Sequence, residues 1–259
     1  MKLITLNIWG GKIFEPLIDF IKLQAPGTDI FCFQEMIFGL EPEVTPVHKA
    51  RLNIFLEIEK CLPDFIAFKY HAPKEAIHFQ DEPLKKGTLP GQAIFIKKDL
   101  LVNNHGGFRC YSNTIPNKVF LGGKITGSCQ WIDLKIKETE MLSILNLHGL
   151  WQQDTHKKDT AERLTQSTIL HNFLKTKNGK KILCGDFNLQ PDCQSIKILE
   201  QNMINLVKSS PFTSTRSSYY SKPDKFADYI LISPDITVKH FEVLQDEISD
   251  HLPLTLEFE

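Results

Sequence analysis

Ile182-Leu183-Cys184-Gly185-Asp186-Phe187-Asn188 is a short apolar run that gives way to a carboxylate and an amide. Runs of four to eight apolar residues between polar or turn-forming segments read as buried strands. Three more stretches repeat the design. Asn7 ends Ile4-Thr5-Leu6, Glu35 ends Ile30-Phe31-Cys32-Phe33-Gln34, and Asp250-His251 precede Leu252-Pro253-Leu254. Polar tips of several strands gathered at one rim of a sheet make a cluster of carboxylates and amides. Such a cluster suits a hard divalent cation, Mg²⁺ or Mn²⁺, which takes oxygen ligands and keeps some water. Singly, each residue has an ordinary reading: Asp186 as a helix cap, Asn7 as a turn residue, His251 as a surface imidazole. Glu35 is harder to dismiss, because a carboxylate directly after a buried run must be paired or hydrated. Their joint occurrence in this order singles them out.

Outward from these stretches, apolar runs alternate with segments of helical period. Phe14, Leu17, Ile18 and Ile21 recur at helical spacing and mark an amphipathic helix between the first two strands. Thr45-Pro46 reads as the start of a second helix, with a cap and a proline in the first turn, carrying Leu52, Phe55, Leu56 and Glu59-Lys60. Strands are expected over 64–70, 92–96, 125–136 and 141–147. The stretch Gln130-Trp131-Ile132-Asp133-Leu134-Lys135-Ile136-Lys137 alternates with period two, as a sheet with one wet face does. A long helix is expected over 159–174 with Leu164, Ile169, Leu170 and Phe173 inward. A strand at 181–184, a short helix after Pro191 and strands at 227–232 and 252–258 follow. Pro253 places the last strand at an edge or outer position. Residues 71–91 and 209–225 show no regular pattern and are expected to be functional loops near the substrate.

The 259 residues, 42% hydrophobic and 24% charged, describe an ordinary globular chain and exclude collagen-like, coiled-coil and disordered classes. Length favours one domain over residues 1–259. No apolar run approaches the ~18 residues of a membrane span, and the first residues lack the apolar stretch of a signal peptide. Six cysteines without CxxC pairs read as reduced thiols, hence a cytoplasmic protein without a disulfide scaffold or zinc knuckle. Thirty basic against 31 acidic residues, a formal net charge of -1, argue against tight non-specific grip on duplex DNA.

The pieces Thr5-Leu6-Asn7-Ile8-Trp9-Gly10, Phe33-Gln34-Glu35, Asn146-Leu147-His148, Gly185-Asp186-Phe187-Asn188, Asp228-Tyr229-Ile230-Leu231 and Ser249-Asp250-His251-Leu252-Pro253-Leu254 together resemble the endonuclease/exonuclease/phosphatase superfamily. These Mg²⁺-dependent phosphodiesterases include abasic-site endonucleases, pancreatic-type deoxyribonucleases, inositol polyphosphate 5-phosphatases, neutral sphingomyelinases, tyrosyl-DNA phosphodiesterases and mRNA deadenylases. Gly-Asp-Phe-Asn and Ser-Asp-His-Leu-Pro are the specific pieces, and the six cover nearly the whole chain. The resemblance implies an α/β fold: a four-layered α/β sandwich of two mixed, largely antiparallel sheets flanked by helices. It also implies a monomer and a metal-dependent hydrolase.

Residue by residue, the resemblance implies that Glu35 is the principal metal carboxylate, with Asn7 and Asp250 in or beside the same shell. Asp228 orients the His251 imidazole, as a triad carboxylate orients its base. Asp186 with Asn188 positions and activates the attacking water, and His148 donates to the scissile phosphate. Asn7 and Asn188 also donate to phosphate oxygens. Hydrolysis of a phosphodiester needs an aligned nucleophile and charge stabilisation on the phosphoryl oxygens, and these residue types supply both. Activity is expected to need both histidines and to peak near neutral to mildly alkaline pH.

Departures narrow the substrate. Trp9-Gly10-Gly11 follows Asn7, and Gly149-Leu150-Trp151 follows His148, where nuclease branches carry other turns. Trp9 and Trp151 are candidate stacking platforms for an unpaired base, although Trp is commonly core. Phe38 within Met36-Ile37-Phe38-Gly39-Leu40 shares that ambiguity, and an exposed apolar loop there suits lipid. Arg216 is the candidate phosphate or leaving-group contact. Lys69, Lys74, Lys85, Lys86, Lys222 and Lys225 lie in or beside the two irregular stretches. The doublets Lys85-Lys86, Lys97-Lys98, Lys157-Lys158 and Lys180-Lys181 read as solvated faces, and Arg163 as structural. The expectation is a nuclease or nucleic-acid-end phosphodiesterase acting on short, single-stranded or damaged substrate. The alternative is a phosphatase or phospholipase C-type enzyme on a small phosphoester or a lipid such as sphingomyelin. Pro223-Asp224-Lys225-Phe226-Ala227 lacks the stretch typical of the inositol 5-phosphatases, which lowers that branch. A catalytically inactive binding module is the third reading.

Overall fold

A computed structural model describes residues 1–71, 78–79, 82–111, 127–152 and 155–259. The strands are β1 (Lys2–Asn7), β2 (Ile30–Phe38), β3 (Phe65–His71), β4 (His78–Phe79), β5 (Glu82–Pro83), β6 (Leu89–Lys97), β7 (Leu101–Arg109), β8 (Ser128–Lys135), β9 (Met141–His148), β10 (Lys180–Asp186), β11 (Ile204–Asn205), β12 (Asp228–Ile232), β13 (Val238–Val243) and β14 (Leu254–Phe258). The helices are α1 (Phe14–Gln24), α2 (Ile54–Cys61), α3 (Ala161–Lys175) and α4 (Gln194–Leu199). One six-stranded sheet runs β13-β14-β1-β2-β6-β3, the other β11-β12-β10-β9-β8-β7. Only the central pairs, β1 with β2 and β9 with β10, run parallel among these neighbours. The result is the expected α/β sandwich of two mixed sheets with flanking helices.

Period two sorts the strands' side chains between two cores. Ile4, Leu6, Ile8, Phe31 and Phe33 point to the helix-covered face of the first sheet, where Leu17, Ile21, Phe55 and Ile58 meet them. Leu3, Ile30 and Cys32 point to the other core, with Ile144, Leu170, Ile182, Cys184 and Ile196. Each fully buried aliphatic or aromatic side chain contributes roughly 1.5–3 kcal/mol.

Between the sheets lies a polar layer. Gln34 Nε2 donates to Thr5 Oγ1 (3.1 Å) and Asn146 Oδ1 (2.6 Å), Asn146 Nδ2 to Phe33 O (3.2 Å), and Gln92 Nε2 to Asn146 O (2.6 Å). Thr5, Gln34 and Asn146 stand one or two residues before Asn7, Glu35 and His148, so this layer floors the rim where the polar tips emerge. Asn146→Leu is expected to lower stability by about 2–4 kcal/mol, because the buried Gln34 and the Phe33 and Ala93 carbonyls lose a partner. A lower urea midpoint at unchanged slope checks it.

Asp159 ties the 151–160 loop to the second helical layer. Its carboxylate accepts from Gln194 N (2.7 Å), Ser195 N (2.8 Å) and Ser195 Oγ (2.6 Å) at the start of α4. Burial opposes ionisation, but those bonds and Arg163 hold the carboxyl below its ordinary range. The stabilisation is present above the unfolded value of about 3.9 and is lost as pH falls through the depressed folded value. Asp159→Ala is expected to cost about 1–2 kcal/mol at pH 7, and less in acid, as read by thermal unfolding at several pH values.

Several expectations are corrected. Thr45-Pro46 does not start a helix: Thr45 Oγ1 accepts from Ala50 N (3.1 Å) in a tight turn, and α2 begins at Ile54. The α3 stripe is rotated, with Ile169 37% exposed while Arg163, Gln166 and Ser167 are buried. Arg163 is structural as expected, donating to Leu150 O (3.3 Å) and Lys158 O (2.5 Å). Strand β14 lies between β13 and β1, and Pro253 falls before it rather than on an edge strand. The first irregular stretch contains β4, β5 and the start of β6. Within the expected 125–136 strand, β8 starts at Ser128; Ile125 and Lys74 lie outside the described residues. Met36 and Ile37 are fully buried in β2, and Phe38 packs on Phe55 at 5.1 Å between ring centroids. All six cysteines are free. Among the described residues no helix is long and apolar enough to cross a membrane.

Candidate active site

The C-terminal ends of β1, β9 and β10 and the N-terminal end of β12 meet at one rim. Register alone brings three side chains into a row, because Asp186 pairs with His148 on one side and Asp228 on the other. Close approach of the loops there depends on glycine. A Cβ on Gly149 would run into the Phe187 carbonyl, and one on Gly185, at φ +125°, into the Leu147 carbonyl.

Asp186 is the hub. Its Oδ2 accepts from Asn7 Nδ2 (3.1 Å) and Asn188 Nδ2 (3.3 Å), and lies 3.6 Å from His251 Nε2 and 4.0 Å from His148 Nε2. Its Oδ1 accepts from Asn188 N at 2.9 Å. Burial works against ionisation, yet the charges of His251, Lys157, Arg216 and His148 hold the carboxyl below the usual carboxylate range. Asn188 adopts φ +53°, a left-handed turn that Asn tolerates better than most residues.

Asp228 and His251 form the pair the sequence suggested. Asp228 Oδ1 lies 2.7 Å from His251 Nδ1, and Thr215 Oγ1 donates to Asp228 Oδ2 at 2.9 Å. His251 Nε2 therefore faces Asp186 and, at 3.8 Å, Asp250 Oδ1. Ser249 Oγ donates to Asn7 O (2.7 Å), which ties the segment bearing Asp250 and His251 to β1.

Glu35 occupies a register break in β2 between Phe33 and Met36, at φ +55°. The irregularity takes its carboxylate out of the strand's alternation, and Oε1 lies 3.7 Å from His148 Nε2. Asp250 Oδ2 is paired with Arg216 Nη1 at 3.1 Å, and the Arg216 guanidinium lies 4.1 Å from the Tyr220 ring centroid. Arg216 is buried, with Nε unpartnered; burial disfavours its charge, but Asp250, Asp186 and Asp228 more than restore it.

Asn7, Glu35, His148, Asp186, Asn188, Arg216, Asp228, Asp250 and His251 are thus brought together. Trp9 and Trp151 stand half-buried on the turns leaving Asn7 and His148, with Lys12 4.0 Å from one ring centroid and Lys222 5.6 Å from the other. Lys69 instead lies over Phe55 in the helical core. Sequence reasoning missed Thr215, Tyr220 and Lys157. Lys157 is not a solvated cation: it is 4% exposed, donates to Asn188 Oδ1 (3.1 Å), and burial and then Arg216 push its pKa down to about 7. Its one sequence signal is its place in the loop that follows the His148 stretch.

The donor set fits a hard divalent cation: carboxylates from Glu35, Asp186, Asp228 and Asp250, with amide oxygens beside them. Ligand atoms of Asp186, Asp228 and His251 all lie within 4.8 Å of one another. That trio differs from Asn7, Glu35 and Asp250, and both Asp228 oxygens are already engaged by His251 and Thr215. As oriented, Asn7 turns its amide NH₂ to Asp186 and accepts from Trp9 N through Oδ1 (3.0 Å), leaving one lone pair for a cation.

No curated protein matches the chain at a significant level. The fold is similar to that of an endonuclease/exonuclease/phosphatase family protein from Leptotrichia buccalis (17% identity, TM-score 0.72, covering 100% of this chain and 99% of that one). It is also similar to the human Nocturnin catalytic domain with bound sulfate (17%, TM-score 0.68, 100% and 93%) and to a mannosyl-6-phosphatase from Bacteroides thetaiotaomicron (19%, TM-score 0.65, 100% and 99%). The model of the endonuclease/exonuclease/phosphatase family matches residues 4–251. With that match spanning the same stretches whose polar tips meet around Asp186, the chain belongs to the endonuclease/exonuclease/phosphatase family, whose members are hydrolases acting on phosphoesters.

Proposed function

We propose that the protein is a Mg²⁺-dependent phosphodiester hydrolase acting on nucleic-acid ends or short, unpaired strands. The observation that carries this reading is the convergence of Asn7, His148, Asn188 and His251 on Asp186 Oδ2, all between 3.1 and 4.0 Å. In the reaction, Asp186 accepts a proton from the attacking water, which Asn188 helps to align. His251, oriented by Asp228, and His148 donate to phosphoryl oxygens as charge grows there. Asn7 adds a neutral donor, and Arg216 meets the leaving group or a neighbouring phosphate. Glu35, with Asn7 and Asp250 beside it, would hold a divalent cation, which would supply further positive charge to the phosphoryl oxygens when bound. Trp9 and Trp151 are the rim platforms for a stacked base.

Near-balanced charge supports a short, single-stranded or damaged substrate over intact duplex. The test is a phosphoester panel: bis-p-nitrophenyl phosphate, single-stranded DNA, RNA, abasic duplex, 5′-tyrosyl DNA and sphingomyelin, with product ends identified. Cleavage of the nucleic-acid members with Mg²⁺, abolished by chelator, is the expected result. Turnover of sphingomyelin alone would move the assignment to a phospholipase C-type enzyme, and no turnover at all would overturn it.

A further inference from the structure

The loop between β9 and α3 buries a lysine at some cost. Lys157 sits at φ +52° directly after His156 at +47°, a backbone region that is strained for residues with side chains. Its carbonyl accepts from Gln190 N (2.9 Å) and Cys193 Sγ (3.3 Å), which clamps the turn to the segment after β10. Its ammonium donates to Asn188 Oδ1 and lies 5.5 Å from the Tyr220 ring centroid. Among the described residues no ion pair within 4.0 Å joins it to a carboxylate. A buried ammonium without a direct ion pair is expensive: burial and then Arg216 lower its pKa, and the more distant charges of Asp186, Asp228 and Asp250 offset only part of that.

The chemistry of Asn188 gives that charge a use. An amide can be turned end for end with little change of shape, yet one end accepts and the other donates. As an ammonium Lys157 has donors only, and in that form it can meet Asn188 through the carbonyl oxygen alone. With Oδ1 held there, Nδ2 is committed to Asp186 Oδ2 (3.3 Å) and Gly149 O (3.1 Å). Pulling charge toward Oδ1 also strengthens Nδ2 as a donor.

We propose that Lys157 is a positioning residue: its ammonium locks the Asn188 amide with Nδ2 turned to Asp186 and sets a positive charge behind the phosphoryl site. Its part in turnover rests on the hydrolase reading above; the lock itself does not. Lys158, exposed beside it in the sequence, lends its carbonyl to Arg163, so only one member of the doublet reaches the site.

The test compares Lys157→Met, Lys157→Arg, Asn188→Ala and the Lys157→Met/Asn188→Ala pair. The readouts are turnover of bis-p-nitrophenyl phosphate with Mg²⁺ and the Asn188 side-chain NH₂ signals in ¹⁵N–¹H spectra. Lys157→Met is expected to lower kcat roughly 10- to 100-fold, the scale of a lost charge-assisted hydrogen bond, with KM changed by less than about threefold. The pair should be no slower than Asn188→Ala within about twofold, because Lys157 acts through Asn188. Lys157→Arg, which keeps a donor-only cation, should give a kcat between the Met variant and the native protein. The Asn188 NH₂ signals should move in Lys157→Met while the dispersed remainder of the spectrum reports an intact fold. Additive losses in the pair, an unchanged kcat in a folded Lys157→Met, or unmoved Asn188 signals would each overturn the proposal. If the native protein hydrolyses nothing while the Asn188 signals respond, the hydrolase reading fails and the lock stands.

Discussion

Asp228→Asn is expected to lower kcat by about three orders of magnitude, with KM and the unfolding midpoint little changed. The carboxylate accepts on both oxygens, from Thr215 Oγ1 at 2.9 Å and, across 2.7 Å, from His251 Nδ1. Asparagine has one acceptor oxygen and one NH₂ group. Whichever way the amide turns, one partner loses its acceptor. If the oxygen stays on Thr215, the NH₂ faces Nδ1, which must then be unprotonated, and His251 can no longer carry the charge that a phosphoryl oxygen needs. If it turns to His251, the buried Thr215 hydroxyl is left facing a donor, and the two backbone N–H groups it accepts, from Ala227 and Asp228, constrain how it can move. The first arrangement satisfies more hydrogen bonds and is the damaging one. Loss of an orienting carboxylate by the same substitution in a serine-protease triad costs about 10⁴-fold; the remaining donors here, His148 and Asn7, make a somewhat smaller loss the expectation. Steady-state kinetics on bis-p-nitrophenyl phosphate check it, with His251→Ala as the reference: the two losses should be similar, and a double substitution should add little.

That pair was legible because its members flank strands whose apolar runs are unmistakable. β1, β2, β10 and β12 are buried on both faces, so the strand residues beside the polar tip, before it in the first three and after it in β12, are mostly apolar. The edge strands β7 and β13 carry no such run, unlike β3 at another edge, whose Phe65-Ile66-Ala67-Phe68 marks it. β7 reads Leu-Val-Asn-Asn-His-Gly-Gly-Phe-Arg and pairs only with β8 among the described strands; its Gly106 and Gly107 make room for the Trp131 and Tyr70 rings, a packing demand that looks like a loop in the sequence. β13, also at an edge and largely exposed, is equally silent. Thr45-Pro46 misled because a cap followed by proline is as good a turn as a helix start; the Thr45 hydroxyl closes on Ala50 N instead of a helical N–H.

Arg163 and Lys157 share a physical reason for their illegibility in hydropathy. Both are cations whose burial is compensated by partners far along the chain or in irregular loops: carbonyls of Leu150 and Lys158 for the first, the Asn188 amide for the second. Polar burial of this kind follows from tertiary geometry, and period and composition record only that a charge is present. The irregular 209–225 stretch shows the converse. It has no pattern to read, yet it delivers Thr215, Arg216 and Tyr220 to the site, and a bridge between Arg216 and His251 with backbone bonds from Leu252 N to Thr215 O (2.9 Å) and Ser217 N to Asp250 O (3.3 Å) holds it in register.

Glu35→Gln is the second substitution with a large expected effect, and it separates the cation from the fold. Gln keeps the size and the acceptor oxygen but removes the charge at the register break of β2. If Glu35 is the principal anionic ligand, cation affinity falls while the β2 irregularity and the contact with His148 persist. At a Mg²⁺ concentration that saturates the native protein, kcat/KM should drop by about 10³-fold, the scale set by removing a major charge-stabilising group from a transition state. Raising Mg²⁺ should recover part of that loss in Glu35→Gln and none in Glu35→Ala, because the amide oxygen can still ligate weakly and a methyl cannot. Mn²⁺ titration followed by calorimetry reads the same weakening without turnover. The native protein stripped by chelator should fall to background and return with Mg²⁺ or Mn²⁺. A neutral ligand that leaves both Mn²⁺ affinity and rate intact would transfer the cation to the Asp186, Asp228 and His251 trio, whose atoms lie within 4.8 Å of one another. The Asp228–His251 bond would then have to open to admit it, and Asp228→Asn would weaken Mn²⁺ binding instead. The two substitutions therefore read opposite halves of one site: a cation on Glu35 makes Mn²⁺ affinity sensitive at 35 and indifferent at 228, while the rate is lost at both.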